Sequence, residues 1–93
     1  MAEVQLPTRS TFWTRTFQHA RTRGGWLRVP RLYTRATAVQ LSSDISNSHH
    51  RNATALRVRG IEPHERWEAR WEPAEDGPLG DHAVWVRLVS SHR

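Results

Sequence analysis

The chain has 93 residues, 37% of them hydrophobic, with five tryptophans, no cysteine and a formal net charge of +5. That length allows one small domain, and large aromatic side chains supply the burial a short chain needs. A disulfide framework and a thiolate zinc site are excluded; no apolar run approaches the roughly 20 residues of a membrane span, and the opening MAEVQLPTRS lacks the apolar core of a secretory signal. A cytoplasmic location is the expectation.

Residues 1–9 are read as a flexible leader and 10–93 as a single domain. The segment STFWTRTFQHARTRGG predicts a first helix, capped by Ser10 and ended by Gly24. Trp13, Phe17 and Ala20 recur at helical spacing, while threonines 11, 14 and 16 lower its propensity, so packing must hold it. GWLRVP follows as a short strand with Leu27 and Val29 on one side. Pro30 either ends this strand or marks it as a sheet edge. Thr34 is a good cap for a second helix over 35–48, with Ala38, Leu41 and Ile45 on its apolar face.

Three further strands are expected. ATALRVRG alternates Leu56 and Val58 with Arg57 and Arg59, and IEPHE turns the chain. RWEARWE alternates strictly, Trp67, Ala69 and Trp71 against Arg66, Glu68, Arg70 and Glu72. After the acidic, turn-rich loop PAEDGPLGDH, AVWVRLV places Val84, Val86 and Leu88 on one face. The order α-β-α-β-β-β predicts a two-layer α+β domain: an antiparallel sheet of three to four strands, one face covered by two helices. The other face would carry Glu68, Arg70, Trp85, Arg87, Arg57 and Arg59, joined by Trp26 and Arg28 if the first strand pairs there.

All fourteen basic residues are arginine. A GC-rich genome would produce the same bias, so placement is more informative than identity. Residues 1–59 hold ten arginines against Glu3 and Asp44, a formal +8, whereas residues 60–93 hold four against seven acids, a formal −3. Such asymmetry fits a basic region facing an anionic partner; mutual attraction within the fold would also produce it. Arg28, Arg31 and Arg35 surround the expected start of the second helix, where a helix dipole ordinarily favours acids. A phosphate bound there, with Thr34 as a further donor, turns that cost into attraction. Arg15, Arg21 and Arg23, with Arg9 and His19, could extend this centre along the first helix as solvated surface or as a track for a nucleic-acid backbone. On the open sheet face, Arg–Glu ion pairs and arginine covering tryptophan are the preferred reading over base stacking. The six histidines match no metal or catalytic motif, so no catalytic residue, metal or cofactor is expected.

The pattern GWLRVPRLYTRATAVQLSSDI … RWEARW … VWVRLV resembles small uncharacterised proteins of actinobacterial phages and mobile elements, over roughly residues 25–89. The resemblance implies a high-GC host and an intracellular or virion role, and assigns no activity. The functional expectation is a basic nucleic-acid-binding protein, for DNA more than RNA, that contacts phosphates through Arg15, Arg21, Arg23, Arg28, Arg31, Thr34 and Arg35. The competing reading is a protein–protein module, a phage structural part or an inhibitor of a host factor, meeting an acidic protein surface through tryptophans and the sheet edge.

Overall fold

The apolar positions of two helices and three strands meet in one core. A computed structural model describes residues 9–50, 60–62, 64–78 and 80–91. Of the leader expected over 1–9, residues 1–8 lie outside the described residues and Arg9 opens the first helix; of the strand expected over 53–60, residues 53–59, with Arg57 and Arg59, also lie outside them. The described elements are α1 (Arg9–Arg23), β1 (Leu27–Thr34), α2 (Arg35–Ser46), a 3-10 turn (Ser48–His50), β2 (Glu65–Pro73) and β3 (Asp81–Ser91). This is an α+β fold, two helices packed on a three-stranded antiparallel sheet of order β1-β3-β2.

The α1 helix starts one residue before the expected cap, so Ser10 lies inside it. Its end matches the expectation. Gly24 takes φ 72° and its N–H bonds the Ala20 carbonyl at 3.1 Å, and Gly25 follows at φ 75°. Two consecutive left-handed residues suit glycine because no Cβ opposes them. They turn the chain sharply and bring β1 back beside α1.

Of the two expectations for Pro30, the sheet edge holds: β1 is an edge strand and does not end at the proline. It runs four residues further, to Thr34. Arg28 pairs with Trp85 and Leu32 with Ala83, so Val29, Pro30 and Arg31 stand opposite Val84 alone. An edge strand tolerates the missing proline N–H, and this bulge absorbs the surplus residues. Thr34 then ends the strand and caps α2 at once: its φ and ψ are −63° and 159°, and its hydroxyl oxygen accepts the Thr37 N–H at 3.3 Å. Thr34→Ala should cost about 1 kcal/mol, the usual worth of such a cap, measurable by urea unfolding. Unchanged stability would show that the α2 start is held by packing alone.

The α2 helix stops two residues before the expected 48. Asn47 closes it, its side-chain amide donating to the Ser43 carbonyl at 2.9 Å. A side chain that bonds the backbone locally competes with the next helical turn.

The core joins Trp13, Phe17 and Ala20 of α1, Ala38, Leu41 and Ile45 of α2, and Leu27, Val29, Trp67, Val84 and Val86 of the sheet. Every residue assigned to the two helix stripes from spacing is buried. Phe17 lies at its centre, stacked at 5.5 Å on Trp13 and edge-on to Trp67 at 4.8 Å. Gly60 (φ 107°) lies against α1, where an added Cβ would meet the Thr14 Cα at 2.8 Å.

Candidate nucleic-acid interface

The three arginines at the start of α2 diverge. Arg28 makes a two-pronged pair with Asp76 in the β2–β3 loop, at 2.9 and 2.7 Å. Hydrogen bonds from Arg28 hold the Asp76 carboxyl below its usual value, and Asp76 raises Arg28 in return. Arg31 lies over the Phe12 ring of α1, 4.0 Å from its centroid. Arg35 turns the other way, 5.5 Å from the Trp71 ring of β2. The Thr34 hydroxyl is occupied as a cap. These four residues therefore form no common anion site at the helix tip.

Arg21 is also committed. Its Nε and one terminal nitrogen each contact a Glu65 oxygen at 2.6 Å, and the same terminal nitrogen bonds the Gly60 carbonyl. Glu65 is only 4% exposed and takes two more donors, the Glu62 N–H at 2.9 Å and the Trp67 indole at 3.3 Å. Burial pushes the Glu65 carboxyl up. The hydrogen bond from Arg21, those from Glu62 and Trp67, and the Arg21 charge outweigh burial and hold the carboxyl below its ordinary value. The pair pins α1 to the start of β2. Arg23 is exposed in the last turn of α1, where a cation suits the dipole.

The structure does bring Arg15, Arg28 and Arg31 together. They line one cleft of about 400 Å³ between α1 and β1. His19 joins them from α1. Phe12, Leu27 and Pro30 supply the apolar wall, and no carboxylate lines the cleft among the described residues. Arg15 is exposed and has no carboxylate partner among the described residues. Two features create this arrangement. The Gly24–Gly25 turn lays β1 beside α1, and the β1 bulge turns Arg31 toward Phe12. Phe12 was not among the residues singled out from the sequence. Its only signal there is an aromatic beside the Trp13 stripe, on a helix that also carries Arg15 and His19.

The open sheet face is internally paired, as the Arg–Glu alternation of β2 suggested. Glu68 and Arg87 are register partners, with a 2.7 Å hydrogen bond. Arg70 lies 4.7 Å from the Trp26 ring and 5.7 Å from that of Trp85, and Arg87 lies 4.8 Å from Trp26. The Trp85 indole donates to Glu72 at 2.8 Å. The acidic β2–β3 loop folds back on β1: Gly77 lies so close to Leu32 that an added Cβ would meet its Cδ1 at 2.3 Å. A base seeking Trp26 would have to displace Arg87, which Glu68 also holds, and so break an ion pair as well as a ring contact.

Among the described residues, no group of three or more His, Asp or Glu is arranged to hold a metal ion, and no helix is long and apolar enough to cross a membrane. Comparison with protein-family models, with curated proteins and with solved structures returns no match.

Proposed function

We propose that the protein binds nucleic acid, with DNA as its ligand, through phosphate contacts made by Arg15, Arg31 and Arg28 in the α1–β1 cleft. The observation that carries this reading is that Arg15, Arg28 and Arg31 line one cleft with no carboxylate in its lining among the described residues, although the Arg28 guanidinium is paired with Asp76. Arginine forks match phosphate oxygens two at a time, and Arg15 and Arg31, which have no carboxylate partner among the described residues, attract a polyanion over a distance set by salt. The overall charge of +5, concentrated in residues 1–59, adds to that attraction. Arg21 is assigned to folding in this reading, and Arg35 and Thr34 lie outside the contact. A cytoplasmic protein of a phage or mobile element is the setting we propose, in line with the sequence resemblance.

Titration of fluorescently labelled DNA at several salt concentrations tests the proposal. Binding should weaken steeply with salt, and the double variant Arg15→Ala, Arg31→Ala should bind weakly, with a salt slope flatter by roughly 0.7–0.9 per arginine removed. Asp76→Asn, which frees Arg28, should tighten binding. An unaltered affinity and slope in the double variant would remove the cleft from the interface. No binding at low salt would instead favour an acidic protein surface as the partner.

A further inference from the structure

We propose that the α1–β1 cleft takes an unpaired base, so that the DNA it binds is single-stranded. This rests on the nucleic-acid reading above and goes beyond it in naming the form of the ligand. A site for phosphates alone needs only cations on an exposed surface. This one adds an apolar wall of Phe12, Leu27 and Pro30 beside its arginines. At about 400 Å³ it lies within the range of small-ligand sites, roughly 300–1,000 Å³. Apolar wall and cationic rim match the two halves of a nucleotide, the flat base and the charged phosphate. In a duplex the base faces are stacked on one another and cannot enter such a cleft; in a single strand they are available.

The Phe12–Arg31 contact is the second observation. With the guanidinium 4.0 Å from the ring centroid, an aromatic face and a phosphate-binding fork are already held together. A base that stacks on Phe12 displaces the guanidinium from the ring and leaves it beside the base, within reach of the adjoining phosphate. Arg15 and His19, from the α1 wall, supply donors across the cleft. The Trp26–Arg70–Trp85 face has rings as well, but its guanidinium groups are shared between two tryptophans and a carboxylate, so the α1–β1 cleft is the better acceptor.

The test compares three labelled ligands at one low salt concentration: a short oligothymidylate, a duplex of the same length, and an abasic strand of the same length. The oligothymidylate should bind more tightly than the duplex. The abasic strand should bind roughly 5- to 150-fold more weakly than the oligothymidylate, the range that base–aromatic stacking supplies. Phe12→Ala should cause a similar loss on oligothymidylate and none on the abasic strand. If Phe12→Ala fails to fold, the abasic comparison on the unaltered protein decides by itself. A duplex bound as tightly as the single strand, or an abasic strand bound equally well, overturns the base pocket while leaving phosphate binding standing. Failure of all three ligands to bind overturns the nucleic-acid reading and the pocket with it.

Discussion

Arg21→Ala should lower the unfolding free energy by about 3–5 kcal/mol, because it leaves the Glu65 carboxylate buried without its cation. That is a large share of the roughly 5–15 kcal/mol that holds a small domain together. Glu65 is 4% exposed and Arg21 20%, so solvent screens the pair poorly. The pair also joins elements far apart in the chain: α1, Gly60 and the first residue of β2. Replacing both partners with apolar residues of similar size should cost much less than Arg21→Ala alone, since no charge is then stranded. Urea unfolding of the two variants separates these cases. A loss below about 1 kcal/mol for Arg21→Ala would place the pair with ordinary surface ion pairs.

The same pair sets a pH dependence. The Glu65 carboxyl is held below its ordinary value in the folded chain, so the unfolded chain binds the proton more readily. Its contribution is complete above the unfolded value, about 4.5, and is lost as pH falls through the lower, folded value. Removing Arg21 lets burial raise the carboxyl, so the variant should lose stability less steeply in acid than the unaltered protein. Equal acid slopes would show that Glu65 does not titrate against Arg21. Where Arg21→Ala remains folded, its DNA-binding salt slope should be unchanged, which separates a folding role from a phosphate contact.

Phe17→Ala should cost about 3–5 kcal/mol, the usual loss on emptying a buried phenyl site. Phe17 is fully buried at 0% exposure, between Trp13 of its own helix and Trp67 of β2. For a domain of this length each kcal/mol moves the melting temperature by roughly 4–8 °C. Calorimetry measures the shift, and near-ultraviolet circular dichroism should show the environments of Trp13 and Trp67 loosening. Phe17→Leu, which retains most of the volume, should lose less. The α1 helix has the lower propensity of the two, so this packing decides whether the α1 wall of the cleft stands. A Phe17→Ala protein with unchanged melting would mean that α1 does not rest on the sheet through this ring.

How far the sequence reaches differs from element to element. The stripes Trp13–Phe17–Ala20 and Ala38–Leu41–Ile45 were legible because burial on one side of a helix imposes a period on the chain itself. RWEARWE was legible for the same reason at period two. Thr34 as a cap and Gly24 as a terminator were legible because each acts on backbone groups within four residues. The continuation of β1 past Pro30 was legible only as one of two alternatives, since it depends on β3 offering a partner edge and on a bulge to absorb the proline. Likewise, the strand order β1-β3-β2 depends on which hydrophobic faces meet, and local pattern carries no record of that.

The candidate site divides in the same way. Composition and position along the chain revealed that positive charge is concentrated in the first two-thirds, and alternation along β2 foretold the ion-paired sheet face. They could not reveal which arginines have partners. Arg21 meets Glu65 forty-four residues away and Arg28 meets Asp76 forty-eight away, separations that leave no local trace. The sequence by itself determined the two helices and the alternating strands of the hairpin, the core stripes and the sign of the charge, all of which follow from the pattern of the chain itself. Only the tertiary structure decided that Arg21 belongs to the fold, that Arg35 faces away, and that Arg15 and Arg31 share a cleft with Phe12, because charge pairing and cleft formation depend on distances set by packing between elements.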